Sequence, residues 1–196
     1  MAELKKKFTK KEMCYYVMIN KFYKQCPEET IKKMLNIINS TDNISLRILD
    51  WFVTRYSKKD IDFMMDTEDI FDVHINYKAQ LKTFKKKYFD PFRRKYKFDY
   101  TFELNNEKIM LNTTLGQLNF FAWAITNNIL SFVDTNLQQI TRAMNLSNKE
   151  DKKNKILKQA QSESESDSDD NNDYNINIST IKQIKNDEVE LTLTFD

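Results

Sequence analysis

Glycine is almost missing from this chain of 196 residues, in which Gly116 stands alone. The P-loop, the dinucleotide-binding fingerprint and the kinase glycine loop each need at least two glycines so that backbone amides can close on phosphate, so mononucleotide chemistry on those scaffolds is excluded. One histidine, His74, and two cysteines, Cys14 and Cys26, cannot build a four-ligand structural zinc site without carboxylates, and they are too few for a disulfide scaffold. No metal and no cofactor are expected. Two free thiols used as small hydrophobes suit a reducing compartment. Long apolar runs are missing too: Met13 to Ile19 follows Lys5-Lys6-Lys7 and Lys10-Lys11 but leads into Asn20-Lys21 without a small-residue cleavage site. It reads as helix, and a soluble intracellular protein with no membrane partner is expected, because a span needs about 18 apolar residues.

What is present is charge, unevenly placed. Lys and Arg number 31 against 29 Asp and Glu, a formal +2 that hides a division: residues 147–196 carry −5 and residues 1–146 carry +7. A basic body precedes an acidic tail. Asn, Lys and Ile supply 64 residues while Gly, Ala, Pro and Arg supply 14, the signature of an AT-rich genome, so part of the lysine excess is mutational.

Apolar spacing then predicts the elements. Thr9-Lys10-Lys11-Glu12 is a capping box opening a helix with Met13, Tyr16, Val17, Asn20 and Tyr23 on one face. Pro27 starts a second helix with Glu28 and Glu29 in its first turn and Ile31, Leu35 and Ile38 as its stripe. Residues 40–43 break the chain, and Ile48, Leu49, Phe52, Val53 and Tyr56 mark a third helix over 44–58. Val73, Ile75 and Tyr77 alternate with His74 and Asn76 as a short strand would. Tyr77, Leu81, Phe84 and Tyr88 then follow helical spacing as far as Asp90, where Pro91 ends it. Tyr96, Phe98, Tyr100, Phe102 and Leu104, the turn Asn105-Asn106, and Ile109 and Leu111 describe a β-hairpin. Thr114-Leu115-Gly116-Gln117 caps a helix with Leu118, Phe121, Ala122 and Ile125 inward. Asn127-Asn128 interrupts, and Leu137, Ile140 and Met144 mark the last helix.

The expected fold class is α+β: amphipathic helices packed on a small antiparallel sheet made of the hairpin at about 96–111 and a C-terminal strand at about 188–195. Residues 1–146 form a single globular domain, and 147–175 a disordered acidic, Ser-rich linker from which no core can be built. Residues 176–196 dock back through the alternating Val189, Leu191, Leu193 and Phe195.

One stretch stands out chemically. Between Lys78 and Lys97 there are nine basic residues and one acid, Asp90, interleaved with aromatics. Phosphates reward such a surface through counterion release, and aromatics among cations can stack on exposed bases. Lys78, Lys82, Lys85, Lys86, Lys87, Arg93 and Arg94 are the candidate nucleic-acid-binding residues. A solvated lysine face is the competing account. The strand from Tyr96 to Phe102 invites comparison with base-stacking sheets, but a one-sided apolar strand defaults to core. A metal nuclease would need several of Asp60, Asp62, Asp66, Glu68, Asp69 and Asp72 to converge, and a thiol nucleophile would need Cys14 beside His74. Nothing in the spacing marks either, so no catalytic residues are assigned. In the tail, Ser162, Ser164 and Ser166 each have an acid three residues on, which makes them candidate regulatory phosphorylation sites over the basic surface.

Three blocks, Leu46-Arg47-Ile48-Leu49-Asp50-Trp51-Phe52-Val53-Thr54-Arg55-Tyr56, Tyr77 to Lys82 continuing through Lys87-Tyr88-Phe89-Asp90-Pro91-Phe92-Arg93-Arg94, and Leu115-Gly116-Gln117-Leu118-Asn119-Phe120-Phe121-Ala122-Trp123-Ala124-Ile125, resemble a group of small mimivirus-like proteins of giant nucleocytoplasmic large DNA viruses. The terminal strand after an acidic linker is similar as well. The resemblance implies a viral source and a setting in the host cytoplasm (viral factory) or the virion, and it carries no catalytic residues over. A non-enzymatic accessory protein binding DNA or RNA in viral transcription, replication or genome packaging is the leading expectation. The alternative is a scaffold component that docks an acidic viral protein and binds no nucleic acid.

Overall fold

The computed structural model describes residues 8–58, 63–64 and 70–164. It is an α+β structure of seven helices with antiparallel two-stranded sheets among these residues. Its first compact unit runs to Asn148.

Helix α1 (Lys10–Gln25) begins with the expected capping box: the Glu12 amide donates to Thr9 Oγ1 at 3.3 Å and the Thr9 amide donates to Glu12 Oε2 at 2.9 Å. Its inner face is Ile19 and Tyr23, with Tyr15 and Tyr16 half-buried beside them, whereas Val17 is exposed. The face is turned from the expected one because Tyr15 packs on Phe84 and Tyr88 while Tyr16 meets Phe98 and Tyr100. Helix α2 (Glu28–Ile38) buries Ile31, Met34, Leu35 and Ile37; Pro27, expected as its first residue, is the N-cap, so the helix begins one residue later. Helix α3 (Leu46–Thr54) is capped by Ser45 and ends earlier than expected, the chain passing into a 3-10 turn at Tyr56–Lys58.

The strand expected at Val73–Tyr77 is a helix. After the short antiparallel pair β1 (Phe63–Met64) and β2 (Ile70–Phe71), Asp72 caps α4 (Val73–Phe84), its Oδ1 accepting the Ile75 amide at 2.8 Å. Val73 and Tyr77, four residues apart, are buried and Ile75 is exposed, so the apparent alternation is one helical stripe with an outward isoleucine. The same helix stops at Phe84 rather than at Asp90. Lys85 takes a left-handed backbone, φ 62°, and a 3-10 turn covers Lys86–Tyr88.

The hairpin of β3 (Phe98–Leu104) and β4 (Glu107–Thr113) closes through Asn105 and Asn106, both at positive φ as a primed turn demands. Phe98, Tyr100, Phe102 and Leu104 alternate inward, joined from β4 by Leu111 and Thr113; Ile109, expected inward, lies partly open near the turn. This face packs on α1, where Tyr16 meets Phe98 at 6.0 Å between ring centroids and Tyr23 meets Phe102 at 5.4 Å, and on Phe8 just before it, 5.0 Å from Phe98. Tyr23 in turn donates its hydroxyl to the Leu118 carbonyl at 2.8 Å, satisfying a buried polar group and linking α1 to α5 (Leu115–Thr126). Helix α5 is buried on most sides, through Leu118, Phe120, Phe121, Trp123 and Ala124. Asn128 at φ 51° separates it from α6 (Ile129–Thr135).

Helix α7 (Leu137–Ser164) buries Ile140 and Met144 and then continues as helical backbone through residues 147–164 of the stretch expected to be linker. That stretch has no Gly or Pro, is rich in helix-forming Lys, Gln and Glu, and sets Asp151 four residues before Lys155. Ser162 and Ser164 therefore stand on helical backbone. Ser166, the rest of the acidic stretch and the expected strand at 188–195 lie outside the described residues.

Candidate nucleic-acid interface

Seven cations and Asp90 lie between Phe84 and Phe98, and the segment that carries them is pinned from two sides. Phe89 is buried among Tyr77, Phe84, Phe120 and Trp123, with ring centroids 5.6–6.0 Å away. A turn follows, in which Asp90 Oδ1 accepts the Phe92 amide at 2.9 Å and the Asp90 carbonyl accepts the Arg93 amide at 3.2 Å. From the other side the first turns of α5 grip the same backbone. Gln117 Nε2 donates to the Pro91 carbonyl at 3.1 Å, and Asn119 Nδ2 donates to the Tyr88 carbonyl at 2.9 Å. Gly116 lies against Asp90 so closely that a Cβ there would stand 3.1 Å from its amide nitrogen.

So held, the segment brings Lys87, Arg93, Lys95, Tyr96 and Lys97 around a cavity of about 210 Å³ that also touches Glu12 and the N-terminal end of α5. Glu12 is the one carboxylate in this lining. Its Oε1 accepts from Lys87 Nζ at 2.9 Å and from the Tyr88 hydroxyl at 3.0 Å, and its side chain is 12% exposed. The Lys87 ammonium, with the Thr9 amide and the hydroxyls, outweighs burial and holds the Glu12 carboxyl down at about 2, against an ordinary 4.5. The same bond to Glu12 pushes the Lys87 ammonium well above its ordinary value. Lys87 and Glu12 thus neutralise each other, and Arg93, Lys95 and Lys97 set the sign of the cleft.

A depressed folded-state carboxyl stabilises the fold above the unfolded value, and this contribution is lost as pH falls toward the folded one. Acid titration of the wild type should therefore show a stability loss between about pH 4.5 and pH 2. Glu12→Gln should be less stable at neutral pH and flatter across that window; parallel acid denaturation curves for the two would show that the pair does not contribute.

Arg93 Nε is buried and has no hydrogen-bond partner among the described residues. Tyr96 is unusual in a different way. It has φ 62°, a region that costs a bulky residue about 1–3 kcal/mol, and the residue is 72% exposed. The Lys87 ammonium lies 5.0 Å and the Arg93 guanidinium 5.8 Å from its ring centroid.

The expected site residues therefore divide. Arg93 and Lys87 line the cleft, Lys87 already paired. Lys85, Lys86 and Arg94 are exposed on the same segment, and Lys78 and Lys82 are exposed on α4. Because the helix ends at Phe84, Lys85 to Lys87 do not continue the Lys78–Lys82 stripe as expected. Lys95, Tyr96, Lys97 and Glu12 complete the cleft unassigned by sequence reading. The run of cations did signal the two lysines, but Tyr96 passed for the first inward residue of the strand. Phe98, Tyr100 and Phe102 are core, which removes the strand itself as a stacking platform.

A larger groove of about 370 Å³, lined by residues including Met18, Phe22, Asn76, Gln80, Trp123 and Asn127, contains no charged side chain and so offers an anion no counter-charge. His74 directs Nδ1 to the Val53 carbonyl at 3.1 Å. Asp72 is a helix cap, and Asp60, Asp62, Asp66, Glu68 and Asp69 lie outside the described residues. Among the described residues no three His, Cys, Asp or Glu side chains converge as metal ligands, and no helix is long and apolar enough to cross a membrane.

A model described as a family of unknown function, DUF7197, matches residues 2–193. The chain belongs to that family. It is 40% identical over 161 residues to Uncharacterized protein L507 of Acanthamoeba polyphaga mimivirus, an alignment covering 79% of this chain and 62% of that protein. The expected giant-virus affinity is thereby shown, and a viral origin of this DUF7197 member is supported. No solved structure matches it.

Proposed function

We propose that this DUF7197 protein is a non-enzymatic nucleic-acid-binding protein whose contact surface is the segment from Lys85 to Lys97, with Lys78 and Lys82 extending it. The observation that carries the reading is the cleft in which Arg93, Lys95 and Lys97 gather while Glu12, the one carboxylate in its lining, is already paired with Lys87. Guanidinium beside two ammonium groups is the arrangement that releases counterions from a polyanion. The affinity to a mimivirus protein suits a place in viral transcription, replication or genome packaging in the host cytoplasm.

Salt dependence tests this. If about five phosphates are neutralised, log affinity should fall against log salt with a slope near −4.5 on duplex DNA, or −3.5 on a single strand. Alanine at Arg93, Lys95 and Lys97 together should flatten the slope by about two to three units. A slope near zero for the intact chain would overturn the reading and favour the scaffold role, with an acidic protein as partner.

A further inference from the structure

We infer that the cleft is built for one unit of a single strand, its base stacked on Tyr96 and its phosphate on Arg93, Lys95 and Lys97. This rests on the nucleic-acid reading and narrows it. The size of the cleft supplies the first step. Sites that enclose a whole small molecule run to about 300–1,000 Å³, and about 210 Å³ falls below that range. A piece of a longer chain that enters and leaves the cleft needs no such enclosure.

Tyr96 supplies the second. A bulky side chain at positive φ persists only where its surroundings hold it there, and here the surroundings hold an aromatic ring out in solvent. The core does not use that ring; the inward positions of the strand begin at Phe98. Any base can stack on an aromatic face, but only if the base is out of a duplex. The neighbouring cations decide what can lie beside the stacked base. Lys87 and Arg93 lie over the ring, 5.0 and 5.8 Å from its centroid, so a base that stacks on the exposed part of Tyr96 carries its phosphate into the same cationic surround. Glu12 would repel that phosphate if it were unpaired; Lys87 is bonded to it at 2.9 Å, which removes the repulsion and leaves the remaining three cations uncommitted to it. The backbone that leads to the ring is held by α5, through Asn119 at the Tyr88 carbonyl and Gln117 at the Pro91 carbonyl.

The test uses the full chain and fluorescence anisotropy at about 50 mM salt, with a labelled single strand of about 12 thymidines or uridines and a duplex of the same length. The single strand should bind at least tenfold more tightly. Tyr96→Gly, which suits the backbone angle, should weaken single-strand binding by about five- to a hundredfold and so remove the preference over duplex. Tyr96→Phe should retain the preference. Equal affinity for single strand and duplex, or a preference that survives Tyr96→Gly, would overturn the inference. In those cases the nucleic-acid reading stands provided alanine at Arg93, Lys95 and Lys97 still weakens both. Failure of the intact chain to bind either probe overturns both.

Discussion

Alanine at Phe89 should destabilise the fold by about 3–5 kcal/mol, the cost of emptying a large aromatic site that cannot collapse. The surroundings make collapse hard. Phe89 is 1% exposed and packed against rings from α4 and α5, and these rings also pack on one another, Tyr77 on Trp123 at 5.6 Å and Phe120 on Trp123 at 5.9 Å. For a unit of this size each kcal/mol lowers the melting temperature by roughly 2–4 °C, so a thermal melt should move down by about 6–20 °C. Phe92→Ala, by contrast, should stay within about 0.5 kcal/mol, because Phe92 is exposed. Equal melting shifts for the two variants would mean that Phe89 is not the anchor of the basic segment. Polyanion binding should follow the same order at a temperature where both variants remain folded, since Phe89 is what keeps the segment on the body of the protein.

Phe89 and Phe92 also show how far the sequence can be read. Both stand in the same basic run on either side of Pro91, and nothing in residue type separates the anchor from the exposed ring; the packing of α4 on α5 does. Where a local signal is redundant, reading succeeds. The hairpin follows from alternation and two asparagines that tolerate positive φ, and the starts of α1 and α5 follow from the N-caps Thr9 and Thr114. Where two periodicities compete over few residues, it fails. Val73 to Tyr77 satisfied a strand pattern until Asp72 capped a helix across it, and the end of that helix was placed at Pro91 although Lys85 had already turned left-handed. The extension of α7 through Ser164 is a third kind of difference, since polarity argues against a core but not against an exposed helix. The cleft was half legible. Its cations stood in one run, but Glu12 lies about seventy residues earlier in the chain and reaches Lys87 only through tertiary structure. The outward turn of Tyr96 is set by a backbone angle that residue identity does not announce.

Alanine at Gly116 should be destabilising by up to about 2 kcal/mol, and the sign of that effect is the sharper claim. In an open helix the same change gains about 1 kcal/mol, because alanine loses less backbone freedom than glycine. Here an added Cβ would stand 3.1 Å from the Asp90 amide nitrogen, 3.2 Å from the Asp90 carbonyl oxygen and 3.2 Å from the Lys87 carbonyl oxygen. These are backbone atoms, so relief means moving the chain rather than rotating a side chain. That chain is tied: Asn119 and Gln117 hold the carbonyls of Tyr88 and Pro91 from the same helix turns, and Phe89 is locked in the core between them. Overpacking against a fixed neighbour costs about 1–3 kcal/mol, enough to exceed the helix gain. The displacement would fall on residues 87–90, so Gly116→Ala should weaken polyanion binding as well as lower the melting temperature, although it removes no charge. A raised melting temperature with unchanged binding would mean that the backbone at Asp90 yields freely, and the segment from Lys85 to Lys97 would then be a loose basic loop rather than a surface set in place by the one glycine in the chain.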